Sequence, residues 1–364
     1  MERIRFFLTL SGQLWFILFA LLAIGLLNLY SATVYLGPKS YLFVKQLIWS
    51  FLGLGALWFM IRLSYHQIYH YAYWLYFLNI LLLLLVLIFF PPLMGAKRWI
   101  TFGSVSFQPS ELAKLSLVII LARYFADLNK EIQDIKAFLK ALVLTLIPVL
   151  LIALEPDLGT AIFLLIIFGN MCFFSKVHHK ILIAVCVIGF TLMPFFWHYG
   201  LKDYQKARIE GFIFPKKDPL GIGYHVRQTK IAVGSGQLWG KGFMNGTQNK
   251  LRFLPEHCTD FIFSVFAEEW GFIGCFLLLC FYALFFFTGM KIAERTHHPF
   301  TFLLTSGIIA IFFWETIINI FMALGLIPVV GIPLPFMSYG GSSMFVNLLA
   351  VGIIMNIDRR ERWL

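Results

Sequence analysis

Residues 74–91 read WLYFLNILLLLLVLIFFP, an apolar stretch without a single charge. A helix needs about 20 such residues to cross the roughly 30 Å hydrocarbon core of a bilayer, and with its flanks this stretch supplies them. Nine further stretches have the same character, at about 14–35, 43–61, 110–126, 139–154, 158–175, 180–198, 261–290, 301–326 and 340–356. The expected fold is therefore an all-α integral membrane protein of ten transmembrane helices, with 1–364 as a single polytopic unit and no convincing internal repeat.

Composition agrees with this reading. The chain is 60% apolar and 13% charged, with a mean hydropathy of +0.83, whereas soluble domains are roughly 45–50% apolar and about 25% charged. Lipid must solvate much of such a surface. Cys172, Cys186, Cys275 and Cys280 fall in apolar runs, where thiols act as small hydrophobes. Cys258 is the one cysteine in a polar loop, so no disulfide framework or zinc-type spacing is expected. The pairs His178–His179 and His297–His298 lie between predicted spans and lack further ligands. The basic start, MERIR, reads as the flank of a retained first span that doubles as a signal anchor.

Lysine and arginine set the expected orientation. With both termini in the cytoplasm, the inner ends hold Arg3, Arg5, Arg62, Arg123, Lys130, Lys136, Lys140, Lys176, Lys180, Lys291, Arg295, Arg359, Arg360 and Arg362. The short outer loops hold only Lys39, Lys45, Lys97 and Arg98. That bias is the positive-inside signature of a cytoplasmic-membrane protein. The stretch 199–260 then lies outside. It carries ten basic residues, Arg208 among them, against five acids. Long loops translocate regardless of charge. A solvated basic loop is the plain alternative to a cationic surface for phosphate groups. Nucleic acid is a poor partner for a loop facing away from the cytoplasm. The pieces GIGYH, GSGQLWGKG and NGTQ read as turn-rich parts of a folded cap.

Four polar clusters fall at membrane depth, where ionisable groups are costly and usually functional. GAKRWITFGSVSFQPSELAK, from Gly95, contains Arg98 and a helix start at Gln108–Pro109–Ser110; Glu111 and Lys114, three apart, share a helix face. EPDLGT, from Glu155, sets two carboxylates around a helix-breaking proline, and a turn cap explains only one of them. FLPEHCTDFIFSVFAEEWG, from Phe253, places Thr259 and Asp260 at a helix start; partial burial there would raise a carboxylate pKa into the range of a usable base. Glu268 and Glu269 lie deeper, suited to pairing with a buried cation. GIPLPFMSYGGSS, from Gly331, reads as an irregular segment with Ser338, Tyr339, Ser342 and Ser343 as hydrogen-bonding groups. The expected orientation brings all four to the outer face, forming a cavity for a lipid with an anionic head.

These motifs, in this order, resemble the SEDS family (shape, elongation, division and sporulation), its RodA branch in particular. The resemblance covers essentially the whole chain through GAKRWI, FQPSELAK, EPDLGT, GSGQLWGKG, GTQNKLRFLPE, TDFIF, AEEWGF and LPFMSYGGSSM. It implies a ten-helix peptidoglycan glycosyltransferase that polymerises lipid II outside the membrane during cell elongation and shape maintenance. It implies Asp260 as the essential acid, with Arg98, Glu111, Lys114 and Asp157 as site residues. Arg208, Thr259 and Ser338 complete the expected substrate contacts. The family pattern has histidine where this chain has Cys258, with His257 one place earlier. A class B penicillin-binding protein is the implied partner. The expected chemistry is an inverting transfer with Asp260 as general base. Cations, or a divalent ion such as magnesium or manganese, would steady the leaving undecaprenyl diphosphate. The rival readings are a lipid II flippase or transporter, or a non-catalytic scaffold. A flippase needs polar groups along its whole path, whereas these concentrate at one face.

Overall fold

The computed structural model describes residues 9–35, 37–91, 97–103, 105–128, 134–200, 202–214, 222–251, 253–254 and 256–361. The MERIR terminus, Gly95, Lys130, Lys216, Lys217, Gly221, Arg252, Pro255 and Arg362 lie outside the described residues.

Helices occupy the apolar stretches: α1 (Leu10–Val34), α2 (Tyr41–Arg62), α3 (Tyr65–Phe89), α4 (Pro109–Leu128), α5 (Ile135–Leu154), α6 (Leu158–Phe174) and α7 (His179–Phe195). The polar segment that follows folds into α8 (Asp203–Ile213), α9 (Ile222–Ser235) and the single turn α10 (Thr247–Lys250). Three long helices close the chain: α11 (Ile262–Glu294), α12 (Pro299–Ala323) and α13 (Gly341–Glu361). Among the described residues, seven helices are long and apolar enough to cross a membrane: α1, α2, α3, α5, α11, α12 and α13. α6 and α7 are apolar but have 17 residues each. α4 has the length, yet it carries Glu111, Lys114, Arg123 and Asp127.

The apolar residues divide between two environments. Trp74, Phe77 and Phe89 of α3 stay exposed, the pattern of a helix solvated by lipid, while Ala72, Leu83 and Val86 on its other face are fully buried. α12 and α13 are the central helices, with 72% and 83% of their most apolar windows buried. Buried polar side chains bind helix to helix through main-chain carbonyls. Asn28 of α1 donates to Ile262, Asn79 of α3 to Pro109, and Asn356 of α13 to Met60 and Ile61. In an apolar medium such bonds avoid the several-kcal/mol cost of an unsatisfied polar group.

Two short elements position the site. The chain between α3 and α4 forms a hairpin of β1 (Ile100–Phe102) and β2 (Val105–Phe107), with Ile100 opposite Phe107. The segment between α12 and α13 is irregular, as its prolines and glycines require, and Ile332, Leu334, Phe336 and Met337 are buried in it. Helices approach this segment at small residues: a Cβ on Gly25 would lie 2.2 Å from the Phe336 carbonyl oxygen, and one on Gly159 2.1 Å from that of Val330.

The polar segment departs from its sequence reading in one respect. Within GIGYH, Ile222–His225 do not form a turn; they open the 14-residue α9. Val226, Thr229 and Ala232 recur at helical spacing and are buried, so tertiary packing overrides the weak helix propensity of the glycines.

Candidate active site

A cavity of about 350 Å³ opens at the end of the bundle where α4, α11 and α13 begin. Its acidic wall comes from Glu111, Asp157, Glu256 and Asp260, and its basic groups are Arg98 and Arg208. Trp99 and Tyr339 add aromatic surface; Gln108, Thr259, Ser342 and Ser343 add hydrogen-bonding groups.

Asp260 sits on the turn that precedes α11. It does not cap that helix: the N-cap is Phe261, and no side chain closes it. The turn is held by its main chain instead. Asn319 Nδ2 of α12 donates to the Asp260 carbonyl at 3.0 Å and to the Ile332 carbonyl at 2.8 Å. Ser338 Oγ donates to the Thr259 carbonyl at 2.7 Å and accepts from the Leu334 amide at 2.8 Å. The Cys258 carbonyl accepts from the Tyr339 amide at 2.7 Å. These bonds join the turn to the irregular segment and leave the Asp260 carboxylate beside Gly331, whose hypothetical Cβ would stand 3.8 Å from Oδ2.

The carboxylate is enclosed by protein yet keeps partial exposure to the cavity. Burial pushes its pKa up to about 6, Glu256 adds to the rise, and Arg208 and Arg98 oppose it. At neutral pH it is thus mostly ionised and close to the pKa that suits a general base.

Asp157 caps α6, accepting from the Thr160 amide at 3.3 Å and the Thr160 hydroxyl at 3.0 Å. Its second role is to hold Arg98, whose Nη1 lies 3.7 Å from Oδ2, while Arg98 Nη2 donates to the Pro156 carbonyl at 2.8 Å. Arg98 is thereby aimed along the cavity wall. Arg208 reaches the same cavity from α8, with Nη1 3.5 Å from the Val329 carbonyl. Glu155 does not enter the cavity lining. It is fully buried, neither of its oxygens has a hydrogen-bond partner, and burial pushes its pKa up to about 8. Burial thus favours the protonated form of Glu155 near pH 7.

Glu111 and Lys114 pair at 2.8 Å, as their spacing on α4 predicts. Sequence reasoning missed the third member, Glu315 of α12, which also binds the Lys114 ammonium. Its signal was present: Glu315 is the one charge in the 301–326 span. Glu111 lines the cavity, whereas Lys114 and Ser338 do not; both are buried behind it. His257 and Cys258 are buried too and lie outside the lining, with His257 Nδ1 2.7 Å from the Leu254 carbonyl oxygen. The cation that pairs with Glu268 is Lys241 of the polar segment, at 2.6 Å, and Glu269 pairs with the Ser31 hydroxyl.

A divalent ion was one expectation for this site. Among the described residues no three His, Cys, Asp or Glu side chains converge as a ligand set, so the donor set does not fit a protein-held metal. Among the described residues, the cationic groups lining the cavity are Arg98 and Arg208.

Fold and site define a polytopic helical membrane protein with an acid- and arginine-lined cavity at one end of its bundle. The chain belongs to the FtsW/RodA/SpoVE family of cell cycle proteins, whose model matches residues 12–363. It is 41% identical over 295 residues to the peptidoglycan glycosyltransferase MrdB of Escherichia coli K12, covering 80% of this chain and 79% of that one. It is 32% identical over 417 residues to the peptidoglycan glycosyltransferase RodA of Treponema pallidum, covering 94% and 96%. Its fold matches a chain solved in a peptidoglycan synthase complex that coordinates polymerization and crosslinking, with a TM-score of 0.83, 31% identity, and 96% and 98% of the two chains covered. It also matches the rod shape determining protein RodA of Thermus thermophilus, with a TM-score of 0.70, 29% identity and 96% of each chain covered.

Proposed function

We propose that this chain is a peptidoglycan glycosyltransferase, one unit of ten membrane spans with both termini in the cytoplasm, that polymerises lipid II at the outer face of the cytoplasmic membrane. The observation that carries the reading is the placement of Asp260, a partly exposed carboxylate with a pKa of about 6, in a cavity shared with Arg98 and Arg208. The fourteen inner basic residues named above support the orientation. α4, α6 and α7 then complete the spans, with Glu111 and Lys114 of α4 buried and joined to Glu315 of α12, and with Arg123 and Asp127 paired at its other end.

The acceptor is lipid II and the donor is the growing glycan on its lipid diphosphate. The glucosamine 4-hydroxyl attacks the anomeric carbon of the donor's muramic sugar. As the new C–O bond forms, the bond to diphosphate breaks. The hydroxyl proton passes to Asp260 Oδ, and undecaprenyl diphosphate leaves. Arg98, fixed by Asp157, and Arg208 stabilise the charge that grows on the leaving oxygens. One base and direct displacement give inversion at the anomeric carbon. Thr259 and Ser342 face the same space as candidate sugar contacts. A class B penicillin-binding protein that crosslinks the product is the partner this reading implies.

The flippase reading finds less support. Among the described residues Asp260, Asp157, Arg98 and Arg208 share one cavity at one end of the bundle, and Lys114 and Glu315 behind it are buried and paired. The test is purified protein with labelled lipid II, scored for glycan polymer. Polymer from the wild-type chain and its loss by about 10²–10⁴-fold in Asp260→Asn is the expected result. Equal polymer from both would remove Asp260 from the chemistry. No polymer from either, with lipid II crossing vesicles, would favour the transporter.

A further inference from the structure

The segment Gln237–Gly242 is spliced into α11. At Gly271 the helix breaks, with φ 64° and ψ −164°. The amides of Phe272 and Ile273 would otherwise bond the carbonyls four residues earlier. Instead Phe272 donates to the Gln237 carbonyl at 2.8 Å and Ile273 to the Leu238 carbonyl at 3.2 Å. The two carbonyls so released, on Glu268 and Glu269, accept from the amides of Lys241 and Gly242, each at 3.0 Å. Four main-chain bonds therefore replace the helical ladder across the break. Gly240 and Gly271 meet backbone to backbone, where any Cβ would collide: one built on Gly271 would stand 2.3 Å from the Gly240 nitrogen.

The position of the splice along α11 is informative. The 33 residues of α11 span about 50 Å at 1.5 Å per residue, well beyond a hydrocarbon core of roughly 30 Å. From Ile262 to Glu269 every side chain is buried in protein. From Phe272 onward one face is exposed, including Phe272, Phe276, Leu277, Leu284 and Phe287. Phe272–Glu294 alone is long enough to cross the core. The outer edge of the hydrocarbon thus falls at the break. At that level the splice presents Leu238 at 61% and Trp239 at 78% exposure, beside Phe243, Trp270 and Phe272. A fully bonded backbone is what lipid contact demands, and indole rings prefer the headgroup level.

We infer that the Gln237–Gly242 splice seats Leu238 and Trp239 in the outer-leaflet interface, docking the polar segment onto the lipid surface. This rests on the outward orientation given above. The occupant is lipid because the patch continues, through direct backbone pairing, the lipid-facing surface of a helix apolar enough to span the membrane.

The test uses full-length protein in right-side-out proteoliposomes, with the native cysteines replaced and a nitroxide label placed at Trp239→Cys, Leu238→Cys or Lys250→Cys. Collision with dissolved oxygen reports lipid, and collision with an external nickel chelate reports water. The expected oxygen-to-nickel ratio at Trp239→Cys and Leu238→Cys is several-fold above that at Lys250→Cys. Nickel-dominated collisions at all three positions overturn the proposal. So does exclusion of both reagents from positions 238 and 239, which would mean a protein cover. Nickel access to Lys250→Cys only after lysis overturns the outward orientation itself, a failure distinct from loss of the oxygen preference.

Discussion

The side-chain amide of Asn319 lies 3.0 Å from the main-chain oxygen of Asp260, and its second N–H reaches Ile332 at 2.8 Å. One nitrogen on α12 thereby sets the spacing between the turn that carries the carboxylate and the segment that faces it. Asn319→Asp keeps the size but offers acceptors to two carbonyls. Losing these bonds to buried groups costs about 1–3 kcal/mol each. Polymerisation should fall by more than tenfold, with lipid II affinity changed far less, because the turn and not the binding surface shifts. A parallel loss of affinity and rate, measured by titration and single-turnover assay, would leave Asn319 with folding alone.

Asp260 should shape the acid limb of the pH profile. Its pKa of about 6 predicts rates flat above that pH and falling about tenfold per unit well below it. Glu256 raises this pKa and Arg208 lowers it. Glu256→Gln should therefore move the limb to lower pH, and Arg208→Gln should move it higher. The midpoint of polymerisation rate against pH is the readout. Shifts in the same direction for both variants would contradict Asp260 as the titrating group.

Glu155 predicts a stability that depends on pH with a definite sign. A carboxyl raised from 4.5 in the unfolded chain to about 8 in the native one holds its proton more tightly when folded. Its contribution is full below the unfolded value and lost as pH rises toward the folded value. At about 1.4 kcal/mol per pKa unit, the loss by pH 8 is at most roughly 5 kcal/mol. Glu155→Gln should unfold at a higher temperature than wild type at pH 8.5 and at a similar temperature near pH 5. Parallel melting curves across that range would place the pH sensitivity elsewhere.

The Glu111–Lys114–Glu315 triad discriminates among its members. Lys114→Met leaves two carboxylates facing each other, a change expected to cost about 3–5 kcal/mol, while Glu315→Gln keeps the Glu111–Lys114 pair and should cost less. The exchange Glu111→Lys with Lys114→Glu should not restore folding, since the new carboxylate would face Glu315. Detergent thermal melts rank the three; a stable exchange variant would show that Glu315 takes no part.

Hydropathy revealed the helical frame, because a charge-free stretch of membrane length has few alternatives. The Glu111–Lys114 pair was equally legible, since spacing on one helix is a local property. Glu315 and Asn319 were not assigned. They stand one turn apart on α12, yet their partners come from α4 and from the turn before α11, contacts that no local pattern encodes. Ser338 was expected to touch substrate because its hydroxyl lies in a glycine-rich segment; the hydroxyl is consumed by the Thr259 main chain. The splice at Gly271 escaped notice for a related reason. It is made by amides and carbonyls, which every residue carries.

The two partners of Lys114 also arrive at different times. Glu111 is made three residues before it, whereas Glu315 follows 201 residues later. At about 5–20 residues per second, the newborn lysine waits on the order of 10–40 s for α12. On the ten-span reading, Glu111 is the one triad partner already made throughout that interval, sparing α4 an isolated cation as it enters the bilayer. On that reading the near neighbour is the counterion available during synthesis, and the distant one joins the pair only once α12 is in place.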